Sequence, residues 1–140
     1  MKLIIVEGPK SSGKTSSIKL ACKKLGLDFT NSPVADIQCV AKFRLGRTNR
    51  LVGIGSAGDD SVAIRANLLF FKDHDLAYVI CACSAPREGR PLLDAFVTLH
   101  GATVTEINTR KLDRPTNESI ALENEKVSEE IINSVRDGQG

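Results

Sequence analysis

The residues of this chain best placed to do chemistry stand near its start, as Gly8-Pro9-Lys10-Ser11-Ser12-Gly13-Lys14-Thr15. The pattern is G-x-x-x-x-G-K-[ST]. Its glycines let backbone N–H groups curl round an anion with no Cβ in the way. Lys14 is long enough to reach the β and γ phosphates of a nucleotide, and the Thr15 hydroxyl is a natural ligand for Mg²⁺. A helix starting here adds the positive end of its dipole at the same spot. All eight residues, Gly8 to Thr15, are therefore expected to cradle a nucleoside triphosphate, ATP or GTP, with Mg²⁺ on Thr15.

Two other segments are candidates for the same chemistry. Ser56-Ala57-Gly58-Asp59-Asp60 follows a strand whose last residues, Gly53 to Ser56, include no carboxylate. Phosphoryl chemistry needs an acid near Mg²⁺, and Asp59 or Asp60 can supply it through a water, Asp59 first because it is nearer the turn. The alternative is that both only cap and charge-complement the next helix. Ser84-Ala85-Pro86-Arg87-Glu88-Gly89-Arg90 follows the most apolar stretch. There Arg87 or Arg90 can clamp a γ-phosphate or a phosphorylated substrate, unless they are simply solvated.

Several features are read as structural. Lys42, Arg44, Arg47 and Arg50 make a basic hairpin tip. With only Phe43 among them it offers no stacking platform for nucleic acid, and it serves equally to block edge-to-edge pairing. His74 and His100 fall at helix ends, where they meet the dipole. The four cysteines, at 22, 39, 81 and 83, show no C-x-x-C spacing and no histidine nearby. They are expected to be reduced thiols rather than a metal site.

The elements that must position these groups follow from periodicity. Leu3-Ile4-Ile5-Val6 is a buried strand running into the glycine loop. Ile18, Ala21, Cys22 and Leu25 give a helical stripe, ended by Gly26. Leu27 to Ala35 is a turn-rich connection. From Asp36 to Arg44 the chain alternates, with Ile37, Cys39, Ala41 and Phe43 on one face, and it pairs with 51–55 as a β-hairpin. A helix follows with Ile64, Leu68 and Phe71 inward. Leu76 to Cys83 reads as a central parallel strand. Pro91 opens a helix with Leu92, Phe96 and Leu99, which Gly101 stops. Residues 102–107 form another strand, and Ile120, Val127, Ile131 and Val135 mark a final acidic helix before a tail, 136–140, expected to fray. The order predicts an α/β fold with helices on both faces of a mostly parallel sheet and one antiparallel strand from the hairpin. Residues 1–140 are expected to form a single domain.

Gly8 to Thr15 resembles the phosphate loop (the Walker A motif) of the P-loop NTPase superfamily. The resemblance covers about the first 25 residues and implies the three-layer fold of that superfamily with Mg²⁺-dependent phosphate chemistry. The strand–helix–hairpin order is also similar to that of the small GTPases. Gly55-Ser56-Ala57-Gly58 keeps the glycine of their D-x-x-G but not its aspartate, and Arg110-Lys111-Leu112-Asp113 keeps Lys and Asp of their N-K-x-D but not its Asn. Ala82-Cys83-Ser84-Ala85 followed by a basic residue resembles a gluconate-kinase pattern.

Net charge is +2, but from Asn117 onward six acidic residues face two basic ones. The positive excess lies in the part that carries the phosphate loop. No apolar run approaches the roughly 20 residues of a membrane span, and the first strand is not a secretion signal, so a cytoplasmic protein is expected. The function expected is Mg²⁺-dependent binding of a nucleoside triphosphate, ATP ahead of GTP, with its γ-phosphoryl going to water or a small acceptor. The alternatives are a GTPase-like switch, with Thr30 or Ser32 sensing Mg²⁺, and a non-hydrolysing module that acts through a protein partner or a second copy.

Overall fold

The chain runs through β1 (Lys2–Pro9), α1 (Lys14–Lys24), β2 (Gln38–Leu45), β3 (Thr48–Gly55), α2 (Ser61–Phe71), β4 (Tyr78–Ala85), α3 (Arg90–His100), β5 (Thr103–Asn108) and α4 (Asn117–Asp137). A computed structural model describes residues 1–9, 12–27, 36–45, 47–85 and 89–137. Among these, a five-stranded sheet has the order β2-β3-β4-β1-β5. β1 lies parallel to both β4 and β5, β3 lies parallel to β4, and β2 pairs antiparallel with β3.

The apolar run of β1 is buried because both its faces are covered. Ile4 and Val6 pack with Ile18 of α1 and Ile131 of α4, while Leu3 and Ile5 pack with Ile64 of α2 and Leu93 of α3. A period of two in the strand thus divides the interior into two layers. In α4, Val127, Ile131, Ile132 and Val135 are buried. Each contributes about 1.5–3 kcal/mol, enough to dock an acidic helix whose outer face stays in water.

β1 sends its connection through α1 toward the β2 edge, whereas its neighbour β4 sends its own through α3 to the β5 edge. Where neighbouring strands feed opposite directions, a crevice opens at their carboxyl ends. The glycine loop follows β1 at that point.

Some boundaries differ from the periodicity. β3 starts at Thr48 rather than at 51, because Arg44 pairs with Asn49 and Leu45 with Thr48, so the ladder runs nearly to the hairpin tip. Leu99 is 80% exposed, since α3 turns Leu93 and Phe96 inward instead. Ile120 also leaves the core and lines a cavity. The tail expected to fray is helical through Asp137; 138–140 lie outside the described residues.

Candidate functional site

Gly13 takes φ +84, the left-handed region that favours glycine, and stands as the N-cap of α1. An added Cβ there would lie 2.4 Å from Asn124 Oδ1 of α4, so α4 sits directly over the start of α1. Lys14 is 7% exposed, and its ammonium donates to the carbonyls of Gly8 at 3.1 Å and Pro9 at 2.7 Å. Burial pushes its pKa down, against the charges of Asp59 and Cys83, which favour the ammonium. A lysine ammonium is thus held beside the N-terminus of α1, where the positive end of the helix dipole lies.

The far wall of the loop is the segment after β5. Thr109 donates from its backbone to the Glu7 carbonyl at 2.7 Å, and its hydroxyl meets that of Ser12. A Cβ at Gly8 would fall 2.0 Å from Thr109 Oγ1. Gly8 is required here for this close approach rather than for a left-handed backbone.

A cavity of about 560 Å³ opens over these residues. It is lined by Ser12 to Ser16, Asp36 and Ser56 to Asp59, and by residues of the segment after β5 and of α4: Arg110, Lys111, Leu112, Pro115, Ile120, Glu123 and Asn124. Leu112, Pro115 and Ile120 make part of that lining apolar. Arg110 Nε stands 3.5 Å from Glu123 Oε1 beside it.

Three acidic residues behave differently. Asp60 caps α2, accepting from the Ala63 N–H at 2.8 Å, so the capping alternative describes it, and it does not line the cavity. Asp59 lines the cavity, where its charge acts on Lys14. The Ser84 hydroxyl, at the end of β4, donates to its Oδ1 at 2.6 Å. That turn is pinned to β4: Ser84 N–H donates to the Gly58 carbonyl at 2.8 Å, and a Cβ on Gly58 would lie 2.1 Å from the Ala82 carbonyl oxygen.

The third acid, Asp36, stands in the sequence only as the start of the alternating stretch 36–44. Its Oδ1 accepts from the Thr15 hydroxyl at 2.8 Å and from the Ser56 hydroxyl at 3.2 Å. Ser56 Oγ in turn accepts from the Ile37 N–H at 2.6 Å. Thr15, Asp36 and Ser56 present hard oxygen atoms without nitrogen or sulfur, a donor set that fits Mg²⁺. No spacing rule points to Asp36, because hairpin pairing of Ile37 with Ser56 is what brings it to α1.

The other expected groups are placed as follows. Arg90 does not line the cavity. Its guanidinium pairs with Glu7 and Asp94, each at 3.0 Å, and with Glu106. Burial works against its charge, but the hydrogen bonds it donates to Asp94 and Glu106, with the charges of Glu106 and Glu7, hold its pKa above the ordinary value. Asp113 is likewise absent from the cavity lining. Lys10, Ser11, Thr30, Ser32 and Arg87 lie outside the described residues. Cys22, Cys81 and Cys83 are buried and Cys39 is half-buried, and burial pushes Cys22 and Cys81 up to about 12. Among the described residues no group of three or more His, Cys, Asp or Glu is placed to hold a metal ion, and no helix is long and apolar enough to cross a membrane.

Compared with known proteins, the chain matches no family model and no curated sequence.

Proposed function

We propose that this chain is a Mg²⁺-dependent nucleoside triphosphate-binding domain of the P-loop NTPase type, taking ATP and passing its γ-phosphoryl group to water or a small acceptor. The observation that carries the reading is Lys14. Its ammonium, bonded to the carbonyls of Gly8 and Pro9, stands at the glycine-capped start of α1, and Lys14 lines the cavity.

In this reading the N–H groups of the Gly8–Thr15 loop and of the first turn of α1 take the β and γ phosphates, and Lys14 exchanges its carbonyl partners for phosphate oxygens. Thr15 and a carboxylate of the cavity would hold a Mg²⁺, which would supply charge neutralisation for the phosphates. Asp59, fixed by Ser84, orients the attacking water or acceptor hydroxyl. The apolar lining of Leu112, Pro115 and Ile120 takes the nucleobase. ATP is favoured over GTP because Arg110 stands where the guanine motif has Asn, and Asp113 lies off the cavity lining.

The test is Mg²⁺-dependent phosphate release or transfer over a panel of nucleoside triphosphates and small acceptors. Asp59→Asn should lower turnover by about 10²-fold, the scale of losing one electrostatic stabiliser, with a melting shift of a few degrees. Binding of AMP-PNP with no turnover on any pair would leave a binding module instead of an enzyme. Absence of binding to both AMP-PNP and GMP-PNP would remove the nucleotide reading altogether.

A further inference from the structure

We propose that Asp36 is the protein carboxylate that joins Thr15 on the Mg²⁺ of a bound nucleotide; the inference rests on the nucleotide reading above and assigns a ligand within it. The geometry comes first. Asp36 Oδ1 and Thr15 Oγ1 are 2.8 Å apart. Octahedral Mg²⁺ holds its oxygens at about 2.1 Å, which puts neighbouring ligand oxygens roughly 3.0 Å apart. The two atoms already stand at the spacing of one edge of that octahedron.

The hydrogen bond between them does not stand in the way. The Thr15 hydroxyl has a second acceptor, the Ser56 carbonyl oxygen at 3.4 Å. Turning its proton there frees a lone pair on Thr15 and the facing oxygen of Asp36 together. The carboxylate is also oriented from behind. Ser56 Oγ donates to it at 3.2 Å while accepting from Ile37 N–H, and the Ile37 side chain is 4% exposed, so the backbone next to Asp36 is anchored in the core. Ligating carboxylates are commonly held by such outer hydrogen bonds.

Asp59 is placed for a different task. The Ser84 hydroxyl occupies its Oδ1, and its charge acts on Lys14. The two carboxylates therefore divide the work: Asp36 stands on the Thr15 side of the cavity with the cation, Asp59 on the Lys14 side with the reacting group. A competing explanation is that Asp36 merely ties down Thr15 while the site is empty. In that case removing its charge would leave cation-assisted binding unchanged or strengthen it.

The experiment titrates AMP-PNP, and GMP-PNP in parallel, into the wild-type protein, Asp36→Asn, Asp36→Ala and Asp59→Asn, with and without Mg²⁺, by calorimetry. Retention of Mn²⁺ in the ternary complex is followed by electron paramagnetic resonance. Both Asp36 variants should lose about tenfold or more of the affinity gained from Mg²⁺ and release Mn²⁺ more readily, while metal-free affinity is kept or rises. Asp59→Asn should keep the Mg²⁺ gain. Full Mg²⁺ gain in the Asp36 variants, or its loss in Asp59→Asn alone, overturns the assignment. Wild-type binding of an analogue with no gain from Mg²⁺ overturns Asp36 and leaves the nucleotide reading standing. Binding of neither analogue takes both down.

Discussion

Replacing Lys14 by Met separates the two roles a buried lysine can have. The side chain keeps its length and most of its apolar contact but loses the charge. In the ligand-free protein this removes two hydrogen bonds to Gly8 and Pro9, about 0.5–1.5 kcal/mol each. It also removes the penalty of keeping an ammonium out of water, so stability should move by no more than a few degrees in Tm. The nucleotide complex has no such offset. A unit charge about 4 Å from another is worth about 4 kcal/mol at an effective dielectric near 20, and a charge-assisted hydrogen bond nets about 1.5–3 kcal/mol. Taking about 3 kcal/mol as the loss, at 1.4 kcal/mol per tenfold, Kd for Mg²⁺–AMP-PNP should rise by roughly 10²-fold. Calorimetry gives Kd and a thermal melt gives Tm on the same samples. Proton linkage supplies a second check. Burial lowers the pKa of Lys14 below 10.5 in the free protein, and phosphate must raise it again. Nucleotide binding should therefore take up a proton at alkaline pH, with affinity falling as pH rises through the lowered pKa, a dependence that Lys14→Met abolishes. For folding, the same shift is a cost present below the lowered pKa and relieved as pH climbs toward 10.5. An unchanged Kd in Lys14→Met would refute the reasoning; a collapsed fold with normal affinity in the residual native protein would make Lys14 a structural residue.

Three other changes probe the frame round the site. Arg90→Met removes an arginine that is 13% exposed from its bond to Glu7, itself 11% exposed; the loss of about 3 kcal/mol should lower Tm by roughly 10 °C without changing AMP-PNP affinity. A loss of affinity at intact Tm would restore Arg90 as a phosphate clamp. Gly58→Ala sets a Cβ against the Ala82 carbonyl, where no flexible side chain can yield; urea unfolding should show about 2–3 kcal/mol of destabilisation, and a neutral result would mean the β3–α2 turn is not pinned to β4. Ellman's reagent at pH 8 should label Cys39 first, since burial holds Cys22 and Cys81 near pKa 12 as thiols; a fast phase that survives Cys39→Ser contradicts that ranking.

What could be read along the chain is what neighbouring residues impose on one another. The left-handed turns at Gly13, Gly26 and Gly101, Pro91 in the first turn of α3 and the alternation of Ile37, Ala41 and Phe43 into the core are local steric and periodic facts. They suffice for the α/β class, the element order and a helix opening out of the glycine loop. Leu99 misled because a 3.6-residue stripe two to three residues wide has two possible edges, and only the packing partner selects one. The insertion of β4 between β3 and β1 depends on which face each crossover helix covers, and no local pattern encodes it. The same holds for charge. Arg87 and Arg90 looked alike in one loop, yet Arg90 is taken by Glu7 and Glu106, which come from β1 and β5. Asp36 shows the limit most clearly. It meets Thr15 because a hairpin pairs Ile37 with Ser56 and the sheet sets that hairpin's open end beside α1. The sequence carries the glycine loop and its lysine; the long-range pairing of strands decided which carboxylate stands beside Thr15.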